Sequence, residues 1–438
     1  MATLLAETAG RGEKDFFVSP RRSAQKTRAP LTVVIGADTF APNVNGAAKF
    51  AERLAAGLVG RGHRVHIVAP AFDKHHGTFQ ETHEGAEMTV HRLRSWRWYP
   101  HDWMRFALPW RINQNSARIL DEVAPDVVHF QSHIIVGRGL SIAAEKRGIR
   151  IIGTNHFMPE NLLEFTLLPK FFQKWAISLA WKAAARTLGR AEAVSTPTRR
   201  AATFLEEATH LKDVHAISCG IDAHLYFPDF AQQGNHVIFV GRVTGEKRID
   251  VLLRAFAQLP DDLDATLEIV GGGDLLQQLT TLAGTLGVAD RVTFSGYVTD
   301  DELKASLRRA RVFAMPSVAE LQSIATMEAM ATGLPIVAAN AMALPHLVHD
   351  GENGLLFEPN SVEDLREKLE PVLRMSPAEL DTMKRNSLRF IRGHDITRTL
   401  DTFEALYRGE QVVDPDPELT DDVRSPKNPP ERAKPRHS

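Results

Sequence analysis

The chain has 438 residues, 43% of them hydrophobic, with 52 Lys and Arg against 54 Asp and Glu for a net charge of -2. That balance gives no electrostatic footprint for nucleic acid, and the single Cys219 excludes an internal disulfide or a cysteine metal site. No apolar run reaches the roughly eighteen residues needed to cross a bilayer, and Met1 to Pro30 carries no signal-peptide core, which predicts a cytoplasmic protein of two domains.

Residues 1–29 mix Gly, Ser and charge without period and are expected to be a disordered tail. Strand-like runs then alternate with helical ones: Leu31 to Ala37, Val65 to Ala69, Met88 to Leu93, Asp126 to Phe130, Arg150 to Thr154 and Ala193 to Thr196, separated by helices such as Ala47 to Gly60. This rhythm predicts a parallel, doubly wound sheet over 30–221. Residues 222–235, with Pro228, Gly234 and no periodicity, read as a linker. A second group follows over 236–393, with strands at Val237 to Val240, Ala265 to Val270, Val292 to Ser295, Val312 to Ala314 and Ile336 to Ala339. A helix from about Thr397 to Tyr407, within 394–410, is suited to cross back onto the first domain. Residues 411–438 alternate Pro with an acidic and then a basic block and read as a second disordered tail. The fold class is α/β, with two Rossmann-like domains facing a cleft.

Two motifs of the second domain lie at strand-to-helix turns, where open α/β sheets bind ligands. Gly241-Arg242-Val243-Thr244-Gly245-Glu246-Lys247 supplies a rigid guanidinium fork and a mobile ammonium, together able to neutralise a diphosphate. Glu320 and Glu328 stand eight apart, on a loop and on the helix after it. That helix is expected to begin near Gln322, which places its unpaired N–H groups and positive dipole end between the carboxylates. Taken singly, each motif also describes a solvated surface turn.

In the first domain, Pro42-Asn43-Val44-Asn45-Gly46 joins the first strand to a helix, and a glycine there allows close backbone approach. His129 and His133 lie at and just beyond a strand end, and His156 follows another. None has metal-ligand spacing, and Asp262-Leu263-Asp264, with the spacing of an Asp-x-Asp motif, sits in a polar turn. No metal is expected.

In order along residues 31–408, these motifs resemble those of the family-4 retaining glycosyltransferases of GT-B fold, of the lipid mannosyl- and glucosyltransferase type. The most specific parts are Gly241-Arg242 to Lys247, Ile269-Val270-Gly271-Gly272-Gly273, Phe294-Ser295-Gly296-Tyr297-Val298, the block Glu320 to Pro335, and Ile217-Ser218-Cys219-Gly220-Ile221-Asp222 between the domains. The resemblance implies a nucleotide-diphosphate sugar as co-substrate, GDP-mannose or a UDP-hexose such as UDP-glucose. It implies that Arg242 and Lys247 grip the diphosphate, Glu320 meets donor-sugar hydroxyls, Glu328 holds the ribose, and His156 lies near the transferred sugar. Gly46, Ser323, Ile324 and Val298 would complete the donor site, and Asn45, Gln131 and His133 the acceptor side. The chain departs from the family at Ser323, usually glycine, at Gln322, usually aromatic, and at Gln131, often histidine. The implied reaction is metal-independent hexosyl transfer with retention, by attack on the face from which the diphosphate leaves.

All six tryptophans fall in two basic stretches: Trp96, Trp98, Trp103 and Trp110 among arginines, and Trp175 and Trp181 on a helix from about Leu168 to Leu188 with Lys170, Lys174 and Lys182. Phe171, Trp175 and Leu179 recur every four residues, a pattern suited either to an anionic membrane interface or to core packing with a basic rim. The expected acceptor is lipid-linked or a small sugar, with the protein peripheral to the inner face of the plasma membrane. A nucleotide-sugar epimerase and a non-catalytic membrane scaffold of the same fold are the alternatives.

Overall fold

The computed structural model describes residues 28–43, 45–97, 105–157, 170–231 and 234–412, without the side chains of Lys170, Phe171, Phe172 and Lys174. Most of both expected tails, Val44, Trp98, Trp103 and the start of the helix expected from Leu168 lie outside these residues.

The first half holds β1 (Thr32–Gly36), β2 (Arg64–Pro70), β3 (Gly77–His83), β4 (Ala86–Leu93), β5 (Ser95–Arg97), β6 (Arg105–Ala107), β7 (Val127–Phe130), β8 (Arg150–Thr154), β9 (Ala193–Thr196) and β10 (His215–Ala216). Eight of these form one sheet in the order β10-β9-β8-β7-β1-β2-β4-β3, while β5 and β6 pair as a separate antiparallel hairpin. The second half holds β11 (His236–Val240), β12 (Thr266–Val270), β13 (Val292–Gly296), β14 (Val312–Met315), β15 (Ile336–Ala339) and β16 (Gly354–Phe357), ordered β13-β12-β11-β14-β15-β16. Its neighbouring strands pair in parallel.

The central strands are covered on both faces, so β7, β14 and β15 are buried at every position; β14 and β15 read as unbroken apolar runs, and β7 as one broken only by His129. The edge strand β3 is different. It runs antiparallel to β4, is exposed over Gly77 to Gln80, and reads Gly-Thr-Phe-Gln-Glu-Thr-His, in which the one exposed Phe79 sets up no apolar alternation.

The helix Gly46–Gly60 is capped by Asn45, whose Oδ1 accepts from Ala48 N at 3.0 Å, and buries Phe50, Ala51, Leu54, Ala55 and Leu58 at helical spacing. The helix Ile324–Ala331 starts two residues later than expected. Ser323 is its cap, its hydroxyl accepting from Thr326 N at 3.3 Å, and the Gln322 amide turns away to Ser218 and Cys219.

The chain crosses between the halves twice. Ile221 N donates to His394 O at 2.8 Å and Ile396 N to Ile221 O at 3.0 Å, so the two crossings run side by side. The helix Ile396–Tyr407 then lies on the first half. Its Phe403 packs against Phe50 and His129, and Arg61 binds Asp401 at 2.7 Å and Glu404 at 2.5 Å. Gly57 admits Leu400, since a Cβ there would come within 2.6 Å of the leucine. No helix among the described residues is long and apolar enough to cross a membrane.

Candidate active site

At the end of β11 the chain turns against the glycine run that follows β12. Gly241 N donates to Val270 O at 3.0 Å and Val243 N to Gly272 O at 2.9 Å. A Cβ on Gly271 would lie 2.0 Å from Gly241 O, and one on Gly273 2.4 Å from Val243 O, so side chains are excluded by backbone contact. Gly271 N also donates to Gly296 O at 2.8 Å, and the Tyr297 ring covers Gly272. Val298, partly buried, lies at this corner of three strand ends.

The short turn Gly245–Lys247 carries Lys247 inward, where its ammonium is ion-paired with Glu320, the two side chains being only 13% and 9% exposed. The loop bearing Glu320 is fastened to the same turn, since Ser317 Oγ and Val318 N both donate to Glu246 O, at 3.3 and 3.0 Å. Arg242 approaches Glu246 Oε1 at 3.2 Å, and Thr244 Oγ1 donates to the same oxygen at 2.7 Å. Arg242 keeps a third of its side chain in solvent. Two cations and two carboxylates, Glu246 and Glu320, thus meet at one turn, and Glu320 stands three residues before Ser323, the cap of the Ile324 helix.

Glu328 is held by the first half and by the segment that joins the two halves. Its Oε1 accepts from Arg53 Nη2 at 2.7 Å and from Tyr226 OH at 3.0 Å. Burial works against the Arg53 charge, but the Glu328 carboxylate outweighs it and holds the guanidinium above its ordinary pKa. Burial and that same carboxylate push the Tyr226 phenol up. Arg53 Nη1 is buried with no hydrogen-bond partner.

The first half closes over this arrangement. A Cβ on Gly46 would lie 3.7 Å from Ile324 Cδ1, and Thr198 Oγ1 donates to Leu321 O at 3.2 Å. Gln131 Oε1 accepts from His156 Nε2 at 3.0 Å, and His156 packs on Phe50. His133 contacts Asn155 Oδ1 at 3.2 Å, and Asn45 is occupied as the cap of its helix. Burial pushes His156 down to about 3 and His133 down to about 4, so both are neutral. His129 is fully buried between Tyr407 OH and Thr154 Oγ1, each at 2.7 Å, and burial followed by the nearby His156 pushes it down to about 3. It is a β7 residue against which the crossing helix packs.

Arg53, Tyr226, Thr198 and Tyr407 were not visible as site or interface residues in the sequence. Arg53 looks like any helical surface charge, and the others belong to no short motif.

The helix Lys170–Leu188 divides its aromatic residues. Trp175 is 67% and Leu179 49% exposed, one turn apart, whereas Trp181 is 6% exposed and packs against Phe204. Lys182 is exposed. Trp175 and Leu179, of the four-residue stripe, thus share an exposed face, while Trp181 belongs to the core.

Two facing α/β halves with a cationic turn and a capped helix at their junction define a GT-B glycosyltransferase. The model described as Glycosyltransferase Family 4 matches residues 44–225, and that described as Glycosyl transferases group 1 matches residues 227–389. The chain belongs to the family-4 glycosyltransferases. A sulfoquinovosyl transferase of Arabidopsis thaliana is 28% identical over 284 residues, 59% of this chain, which spans about half (52%) of that relative. D-inositol 3-phosphate glycosyltransferase 1 of Catenulispora acidiphila is 28% identical over 70% of this chain and 78% of its own. Among solved structures, the sucrose-phosphate synthase of Thermosynechococcus elongatus superposes with a TM-score of 0.71 at 18% identity, over 86% of this chain and 98% of that one, a likeness of fold.

Proposed function

We propose that the protein moves a mannosyl or glucosyl group from a nucleotide-diphosphate sugar to an acceptor hydroxyl, with retention at the anomeric carbon and without a divalent ion. The observation that carries this reading is the buried Lys247–Glu320 pair beside Arg242 and the start of the Ile324 helix. In this reading Arg242 and Lys247 neutralise the diphosphate as its bond to the anomeric carbon breaks, and the N–H groups of Ser323 and Ile324 add the partial charge of a helix start. The acceptor oxygen bonds to that carbon on the same face, and the departing phosphate oxygen takes the acceptor proton. Glu320 meets the sugar hydroxyls and Glu328 the ribose. Gly46 lets the backbone approach the diphosphate, and Val298 borders the nucleotide. His156, neutral, lies beside the transferred sugar, and Asn45, Gln131 and His133 border the acceptor.

The acceptor is a small sugar or a lipid-linked one. Exposure of Trp175 and Leu179 on one helical face, with Lys182 nearby in sequence, supports a peripheral contact with an anionic cytoplasmic membrane surface. The sulfoquinovosyl and D-inositol 3-phosphate relatives support sugar transfer as the reaction type.

A thermal-shift panel of nucleotide sugars tests the donor, since a ligand selective for the native state adds about 2.7 kcal/mol at a hundred times its Kd. GDP-mannose or a UDP-hexose is expected to raise Tm, with product of retained configuration by NMR in the presence of EDTA. No shift with any donor, together with no transfer or donor hydrolysis, rejects the reading.

A further inference from the structure

The hairpin of β5 and β6 carries a second concave surface that plays no part in the donor site. It stands at the C-terminal ends of β2 and β4: Ser95 Oγ donates to Ala71 O at 2.5 Å, Ala71 N to Leu93 O at 2.7 Å, and Leu108 N to Arg94 O at 3.2 Å. This is the edge of the first sheet that also bears the Gly46 turn after β1 and the His133 turn after β7. In the sheet β4 lies two places from β1, so the foot of the hairpin is about 10 Å to the side of the Gly46 turn.

At the foot of the hairpin lies a groove of about 380 Å³ lined by Arg94, Ser95, Trp96, Leu108, Trp110 and Arg111. The two indoles meet with ring centroids 5.4 Å apart and planes inclined by 36°, an open wedge. They are 37% and 68% exposed, unlike tryptophans that serve a core. Arg94 and Arg111 are exposed and form no ion pair among the described residues, whereas nearby Arg92 is taken up by Glu81. Indole faces suit the C–H face of a saturated ring, and guanidinium forks suit phosphate oxygens. Two forks match the nearly two negative charges of a phosphomonoester at neutral pH, more than the single charge of a phosphodiester.

We propose that this groove is an outer acceptor subsite for a hexose or cyclitol ring bearing a phosphomonoester, holding that ring at the side of the cleft. Its role as an acceptor subsite rests on the transfer reading above; its binding of a ring phosphate does not.

The test is calorimetric titration of the full chain with glucose 6-phosphate, myo-inositol 1-phosphate, glucose and inorganic phosphate, and sedimentation with phosphatidylinositol vesicles. At least one ring phosphate is expected to bind saturably, at least tenfold tighter than glucose or phosphate alone. Trp110→Ala, and Arg94→Ala with Arg111→Ala, should each weaken that binding at least tenfold while leaving Tm and the nucleotide-sugar thermal shift unchanged. The proposal is overturned if neither ring phosphate binds, if glucose or inorganic phosphate binds as tightly, if the variants bind as the native chain does, or if only vesicles bind. Loss of the nucleotide-sugar shift in the native chain would instead reject the donor reading and leave the groove standing.

Discussion

Arg53 and Glu328 lie 275 positions apart in sequence, yet Arg53 Nη2 donates to Glu328 Oε1 at 2.7 Å across the junction of the two halves. Both side chains are largely withdrawn from water, so removing one partner leaves the other charge poorly compensated. Arg53→Met is expected to cost roughly 3 kcal/mol of stability. The double variant Arg53→Met with Glu328→Gln should recover part of that loss in urea melts. Simple addition of the two single effects would show that the pair does not couple the halves.

At the donor turn, Arg242 and Lys247 differ in burial, and their variants should differ accordingly. Arg242→Ala is expected to lower turnover roughly a hundredfold to a thousandfold with Tm unchanged, because a third of its side chain is in solvent. Lys247→Ala should lower turnover comparably and Tm as well, since it strands the buried Glu320. Full transfer activity in both variants would contradict the diphosphate assignment.

Glu320→Gln keeps a hydrogen-bond acceptor toward Lys247 while removing the charge. It should reduce transfer more than it reduces vesicle association, and unaltered kinetics would count against contact with the donor sugar.

Acid should loosen the crossing helix. His129 is fully buried and burial holds it down to about 3, against roughly 6.5 in an unfolded chain. Above that value both states are neutral and the group adds no pH dependence. As pH falls below it, the unfolded chain takes a proton that the folded one refuses, so stability drops by about 1.4 kcal/mol per unit. From pH 6.5 to 5 this amounts to about 2 kcal/mol, and His129→Asn should flatten the slope of stability against pH in urea melts.

Membrane contact can be separated from packing on one helix. Trp175→Ala with Leu179→Ala should abolish sedimentation with anionic vesicles at low salt and leave Tm within a degree or two, because both side chains are exposed. Charge reversal at Lys170 and Lys174 should weaken the same sedimentation. Unchanged vesicle binding in both variants would argue against a lipid contact.

The central strands of the two sheets were legible because positions covered on both faces are almost all apolar, as in β14, β15 and, His129 apart, β7. The edge strand β3 was not, since its exposed positions have no apolar alternation. Around the site, Lys247 and Glu320 were readable from motifs, and the structure pairs them. Arg53 and Tyr226 were not, because a contact between distant segments leaves no local spacing. The different surroundings of Trp175 and Trp181 were available to arithmetic: six residues at 3.6 per turn put them about 120° apart around a helix.

The helix Ile396–Tyr407 fills space against Phe50, Gly57 and His129 that the first half cannot fill from its own residues. A nascent chain emerging from the ribosome therefore completes the packing of its amino-terminal half only once residues 396–407 have been made. Shortening the protein before residue 394 should expose a furrow on the amino-terminal half, seen as dye binding and rapid proteolysis, however intact the donor half remains.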